Sequence, residues 1–448
     1  MSAACGCLDF LEQVVSTSTL KMSFDIVIIG AGPAGLCFAR SLAGSGLRIA
    51  LVERQHESAL VEPADDGREI AITHHSQRLM QELGLWARLR EDEIGTLRDA
   101  MVLDGDHRGG LMFRHDEAGK SQLGWLLSNH AIRRAAYAEV MELPEVERIT
   151  GTDVKTVRTV SDGVAVELGT SEILHAQLVV AADSRFSETR RAMGIAADMH
   201  DFGKTMLVLR MRHEVAHEQV AWEWFGYAQT LALLPLYDPH TSSVVLTLQP
   251  QAMQALLALD DAALEAEMAR RFQQRLGEMR VAGPRCAYPL VGVYARRFVA
   301  ERFALIGDAA VGMHPVTAHG FNFGLRGQST LARELLAAVA AGQFISSSGC
   351  LQRYERKHRL ATRPLYLATQ MLARLYTDDR PPARILRKLA LDAGARLGPF
   401  KKIVLAGLTA ESAGIPTLFR PAHVAARRRS HSTSSELWLT SSNRKVDR

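Results

Sequence analysis

The stretch Phe24-Asp25-Ile26-Val27-Ile28-Ile29-Gly30-Ala31-Gly32-Pro33-Ala34-Gly35 decides the fold. Its apolar run, Phe24 to Ile29, reads as a strand buried on both faces, as in a parallel sheet. Gly30 permits a tight turn, and Gly32 lets backbone N–H groups approach a pyrophosphate. Gly35 lets the following helix, Leu36 to Ala43, pack closely on the strand. Pro33 and Ala34 complete the turn, where a helix start offers unpaired donors and a positive dipole end to phosphates. A second strand, Arg48 to Val52, ends at Glu53. That places an acid about 20 residues beyond the first glycine, where it hydrogen-bonds a ribose diol. A carboxylate there argues against a 2′-phosphate, so the loop does not suit NADP.

A second glycine-marked loop lies far downstream. Phe303-Ala304-Leu305-Ile306 runs into Gly307-Asp308-Ala309-Ala310, and His314-Pro315-Val316-Thr317-Ala318-His319-Gly320-Phe321-Asn322 follows. The pattern is that of a short strand delivering Asp308 to a ribityl hydroxyl. Pro315 fixes the chain, and Gly320, Phe321 and Asn322 open an alanine-rich helix expected over about Gly324 to Ala341. Free N–H groups there would stabilise negative charge on a reduced flavin ring. One loop alone fits any dinucleotide; the two together imply FAD held along its whole length. His314 and His319 do not form a metal site, because no carboxylates or cysteines cluster beside them and Pro315 breaks helical ligand spacing. His319 is the one side chain nominated for catalysis, tuning protonation near the ring; the competing reading is a hydrogen bond to the loop backbone.

The motifs from Asp25 to Arg374 resemble the p-hydroxybenzoate-hydroxylase-like flavin monooxygenases, and more closely the ubiquinone-biosynthesis hydroxylases. The resemblance rests on Gly30 to Gly35, Glu53-Arg54, Gly67 to Ile72, Asn129 to Arg133, Ala182-Asp183-Ser184-Arg185, Leu233 to Leu236, Tyr288-Pro289-Leu290 and Gly307 to Leu325. The runs Ala182 to Ser187, Arg190 to Ile195 and Val316 to Asn322 look like the 5-demethoxyubiquinol hydroxylase subgroup. The resemblance implies that Arg54, Arg68, Arg133 and Asp183 join the cofactor-binding set and that Asp308 takes the ribityl chain. It implies an α/β fold: a Rossmann-like FAD-binding domain, an antiparallel β-sheet substrate domain and a helical C-terminal region. Three positions depart from the family pattern: Ser184 replaces a glycine, Val311 a histidine, and His319 the glutamine before Gly320.

Because the two loops bracket most of the chain, the FAD-binding domain must be discontinuous. The expected division assigns 24–100, 121–200 and 291–350 to it, and 101–120 and 201–290 to the substrate sheet. C-terminal helices follow over 351–426, with disorder expected at 1–22 and 427–448. Within the sheet, Met101 to Leu103 and Gly110 to Phe113 read as a hairpin. Lys204 to Arg212, Val220 to Phe225, Gln229 to Leu236 and Ser243 to Leu248 read as antiparallel strands. Trp222, Trp224, Phe225 and Tyr227 admit two readings, lining of an aromatic-ring pocket or sheet core. Asp260 to Leu276 reads as an amphipathic helix with Leu264, Met268 and Phe272 in the core.

At 448 residues, 47% hydrophobic and 23% charged, the chain can bury a large core and is not of disordered composition. No run of about 18 apolar residues suggests a spanning helix. Met1 to Met22 lacks the basic n-region of a secretory signal, and Met22 is an alternative start. The five cysteines show no metal spacing, which fits a reduced, cytoplasmic protein. Basic charge concentrates in 374–402 and 427–448. The first segment, with interleaved Ile385, Leu386, Leu389 and Leu397, suits either solvated helices or peripheral docking on the inner face of an anionic membrane. No nucleic-acid motif accompanies the charge.

The implied chemistry is reaction of reduced FAD with O2 to give a C4a-hydroperoxide, whose distal oxygen passes to an electron-rich polyprenyl benzoquinol. The cofactor carries this reaction, so no nucleophilic triad is required, and none is evident. The demethoxyubiquinol step is the leading assignment. The alternatives are another ring hydroxylation of the same pathway, a flavin reductase or dehydrogenase on a prenylated substrate, and a non-catalytic FAD-bound subunit of a ubiquinone-synthesis complex. The electron donor is either NAD(P)H or a reductase protein.

Overall fold

The computed structural model describes residues 24–105, 110–226, 229–313 and 320–377, with side chains through Met371. His314, Pro315, His319 and Tyr227, the segment 1–22, and the basic segment beyond 377 lie outside the described residues.

An eight-stranded sheet forms around Phe24–Ile29, whose Ile26, Val27 and Ile28 are fully buried. Ile173–Ala181 pairs with it on one side and Ile49–Glu53 on the other, both parallel. Phe303–Leu305 extends the sheet beyond 173–181, again parallel. Continuous Ile, Val, Leu and Ala along these strands fits their burial on both faces. Register then sets the geometry of the site. Ile29 pairs with Ala181 and with Val52, and Ala181 pairs with Leu305. Glu53, Gly30, Asp183 and Gly307 therefore leave their strands at the same edge, the carboxyl edge at which open α/β sheets bind ligands.

A nine-stranded sheet stands beside it. Its order runs Val311–Gly312, Cys286–Ala295, Ala197–His213, Thr241–Leu248, Thr230–Pro235, Val220–Phe225, Asp99–Asp104 and Leu111–Phe113, with Met279–Val281 on a side branch. Pairing is antiparallel, as expected, except that strand 220–225 runs parallel to strand 99–104. The chain reaches 220 after a long excursion rather than through a hairpin, and a parallel neighbour needs such a crossover. A three-stranded sheet of Glu69–Ile72, Gly124–Ser128 and Gly95–Leu97 completes the described strands.

Helices Pro250–Leu257 and Asp261–Arg271 cover one face of the long sheet. The Asp260 side chain caps the second by accepting from Ala263 N at 2.8 Å. Leu264, Met268 and Phe272 are fully buried. The helix stops well before Leu276, because Gln273 and Gln274 take left-handed backbone angles of 53° and 56°. The helix after the first loop starts at Pro33, a residue whose missing N–H costs nothing at a first turn. Gly320–Ala340 likewise begins before its expected start.

Of the two readings open for the indole pair, the structure bears out sheet core. Trp222 and Trp224 point to the helix-covered face, with the Trp222 ring 6.3 Å from that of Phe272. Residues alternate faces along a strand, so Glu223 and Phe225 point the other way.

Candidate functional site

The two distant loops meet. A Cβ on Gly307 would lie 2.8 Å from the Ala34 side chain, and one on Gly324 would lie 3.5 Å from Gly307 Cα. The first loop is closed against backbone. Gly30 has φ 106°, and a Cβ there would fall 2.6 Å from the Ala182 carbonyl oxygen. A Cβ on Gly35 would overlap the Gly30 carbonyl. These are the close approaches that only glycine allows.

Open space lies where a ligand is needed. Nothing stands within 4 Å of a Cβ at Gly32 or Gly320. Helix Pro33–Ser41 has no side-chain cap at its start, which leaves its dipole end and first-turn donors available. Glu53 accepts from Ala31 N at 2.7 Å and Gln55 N at 3.0 Å, which fixes the carboxylate beside the glycine turn. Arg133 donates to the Gln55 side chain at 3.0 Å and so stands at the same corner. Arg54 is exposed next to it.

The Asp183 turn joins the two loops. Its Oδ2 accepts from Thr189 N at 3.2 Å, while Oδ1 is buried without a partner. Ser184, at the position where the family has glycine, takes φ 103°. Arg185 then donates to Asp308 Oδ2 at 2.9 Å and to the Val291 carbonyl at 3.0 Å. The buried Arg190 donates to the carbonyls of Arg185 and Ala309 at 3.1 and 3.0 Å. Sequence reading placed Arg185 and Arg190 in motifs but gave them no role. The available signal was a cation two residues after Asp183 and an acid, Asp308, in the second glycine loop.

Arg68 stands between the Gly67 loop and the long sheet, within electrostatic range of Asp308. Its Nε and Nη2 both donate to Asp66 Oδ2, at 3.0 and 2.6 Å, and its guanidinium lies 5.8 Å over the Tyr288 ring. Burial raises the Asp66 carboxyl, but the Arg68 guanidinium outweighs it and holds the group below its ordinary range. The Tyr288 hydroxyl donates to the Asp66 carbonyl at 2.8 Å. Burial first, then Asp66, pushes that phenol up to about 12. Asn322 donates to the Ala71 carbonyl at 2.7 Å and accepts from Thr73 N at 3.2 Å. Phe321 packs on the main core.

A glycine cradle, an uncapped helix start, a fixed ribose-side carboxylate and an orphaned buried oxygen fit a dinucleotide lying across the carboxyl edge of the sheet. Comparison with known proteins agrees. The family described as FAD binding domain matches residues 23–366. The chain is 46% identical over 394 residues to ubiquinone hydroxylase UbiM of Neisseria meningitidis, covering 87% of this chain and 85% of that protein. It is 34% identical over 383 residues to ubiquinone hydroxylase UbiL of Rhodospirillum rubrum, covering 85% and 88%. Among solved structures, p-nitrophenol 4-monooxygenase PnpA of Pseudomonas putida superimposes with a TM-score of 0.71 at 19% identity, over 86% of this chain and 98% of that one. The fold is that of the flavin monooxygenases, and the chain belongs to the FAD-binding hydroxylases of ubiquinone biosynthesis.

Proposed function

We propose that the chain is a FAD-dependent monooxygenase that hydroxylates the ring of a polyprenylated benzoquinol, at the demethoxyubiquinol step. The observation that carries this reading is the junction of Gly307 and Ala34, which joins a phosphate-type loop to a second loop of matching chemistry. Reduced FAD supplies the chemistry, transferring one oxygen atom of O2 to an electron-rich ring. The protein supplies placement and exclusion of water. In this reading, N–H groups around Gly32, Pro33, Ala34 and Gly35 hold the pyrophosphate, Glu53 the ribose, and Asp308, oriented by Arg185, the ribityl chain. Gly320, Phe321 and Asn322 place a helix start at the ring, with Pro315 and His319 in the loop before it. Arg54 and Arg133 flank the ribose corner, Asp183 lies beneath the junction, and Arg68 braces the loop between the two sheets.

The same reading divides the chain into a discontinuous FAD unit (24–100, 121–200 and 291–350) and a substrate unit (101–120 and 201–290). Electrons come from NAD(P)H or a reductase protein. No helix among the described residues is long and apolar enough to cross a membrane. Helix Ser348–Thr377 exposes Leu360, Leu367 and Met371 at 62%, 45% and 72%, with Arg356, Lys357 and Arg363 also exposed. That mixture supports peripheral contact with an anionic bilayer, from which a prenylated substrate is drawn.

The test is complementation of strains blocked at each ring-hydroxylation step, with quinone intermediates read by mass spectrometry. Rescue of the demethoxyubiquinol block is expected. Rescue of a different block would move the ring position, and rescue of none would overturn the hydroxylase reading.

A further inference from the structure

One ionisable group on the long sheet has no role in the account above. Glu223 lies on strand Val220–Phe225, on the face opposite the two covering helices, since Trp222 and Trp224 occupy the other. Strand register places it in a row across the sheet. Val102 and Ala232 lie directly beside it, Val245 and Val208 continue the row, and Cys286 follows. Val102 belongs to one small apolar cluster and Val245 and Val208 to another, so Glu223 is the carboxyl between two greasy patches.

This face looks toward the FAD-binding part of the chain. A Cβ on Gly67 would touch Cys286 Sγ at 3.5 Å, and Tyr288 bonds the Asp66 carbonyl. Ala71, whose carbonyl is held by Asn322, packs in the cluster that contains Val102. Glu223 retains accessible surface although protein surrounds it, as a group lining an internal crevice does. No hydrogen bond or ion pair to it is found among the described residues. Desolvation pushes the carboxyl up to about 8. Its immediate neighbours Val102 and Ala232 do not titrate. Asp104, two residues beyond Val102 on the neighbouring strand, shares this face and stands diagonal to Glu223. Arg210, paired with Asp65 and Glu69, and then Cys286 and Tyr288 lie farther across it, with Arg68 and Asp66 engaged to each other beside Tyr288. Buried polar groups without partners are rare, and where they line a crevice they await a ligand.

We propose that Glu223 lines the substrate crevice and hydrogen-bonds a ring hydroxyl of the benzoquinol, fixing which ring edge meets the flavin. This rests on the hydroxylase reading. Near neutral pH the group is an uncharged acid with one donor and one acceptor, a match for a phenol beside a methoxy oxygen. An amide presents the same pair, whereas a leucine presents neither.

The experiment uses the full-length, FAD-loaded protein and titrates it with a soluble prenylated methoxyphenol and with its O-methyl ether, reading the shift in flavin absorbance. Wild type is expected to prefer the phenol about tenfold. Glu223→Leu is expected to abolish that preference with FAD content and Tm retained, and Glu223→Gln to keep it within about threefold. Wild-type affinity for the phenol falls as pH rises through about 8, because the acid form is lost, and that of Glu223→Gln stays flat. Unchanged preference in Glu223→Leu, or an unchanged pH profile in Glu223→Gln, overturns this inference alone. Absence of any response in wild type to either compound overturns the hydroxylase reading and this inference with it.

Discussion

The two faces of the nine-stranded sheet are built from the same strands and could hardly differ more. On the helix-covered face, Leu207, Leu209, Leu233, Val244, Leu246, Leu264, Met268 and Phe272 form one continuous core, and all are fully buried. On the other face the apolar residues break into two small groups, around Leu97, Phe113 and Leu123 and around Met206, Val208 and Leu290. Between them stands a carboxyl group. A period of two lets a single strand serve both purposes, so Trp222 and Trp224 add to stability while Glu223 faces the crevice. The dense face fixes the position of the sheet, and the sparse face carries the one carboxyl proposed to meet a ring.

Truncation on the dense face is the largest expected effect. Phe272→Ala removes a fully buried ring that packs on Trp222, at a cost of about 3–5 kcal/mol. A large drop in the denaturation midpoint is expected, with the affinity of surviving folded protein for substrate unchanged. Loss of substrate affinity without loss of stability would erase the distinction between the faces. A smaller effect is expected from Tyr288→Phe on the sparse face. It deletes the one hydrogen bond from the Tyr288 hydroxyl to the Asp66 carbonyl, worth about 1 kcal/mol. Because that bond ties the sheet to the Gly67 loop, the altered flavin spectrum should be more conspicuous than the small change in midpoint. A spectrum identical to wild type would show that the sparse face is as indifferent to the cofactor as the dense one.

Much of this organisation was legible in the residues. The run Phe24 to Ile29 has no polar residue after Asp25, and only a doubly covered strand tolerates that. Glu53 was visible because strand, helix and strand lengths fix where the second strand ends. The partnership of the loops was inferred from chemistry, whereas the contact between Gly307 and Ala34 depends on strand order, which local sequence does not encode. The choice between ring pocket and sheet core for strand 220–225 lies beyond local sequence for a similar reason. Aromatic residues suggest a ring pocket, but which side of the sheet the helices cover is a tertiary fact. Glu223 went unremarked because a glutamate flanked by two tryptophans reads as an ordinary outward-facing polar residue until its neighbours are known. The reach of Arg185 to Asp308 was hidden by the long sequence separation, as was the pairing of Arg68 with Tyr288 across the two sheets.

The seam between the sheets gives the finest test. Ser184 carries φ 103°, a conformation that costs a side chain about 1 kcal/mol or more. Glycine relieves that strain but loses roughly 0.5–1 kcal/mol to the greater freedom of the unfolded chain. Ser184→Gly is therefore expected to stabilise by only about 0.5 kcal/mol, read as a small rise in denaturation midpoint. The strain is maintained by its neighbours: Arg185 bonds Asp308 and the Val291 carbonyl, and Arg190 bonds the carbonyls of Arg185 and Ala309. Relaxing Ser184 should leave those contacts, and flavin affinity, as they are. A fall in flavin affinity would instead mean that the strained serine itself holds Arg185 against Asp308, which would make the seam part of the cofactor site rather than its support.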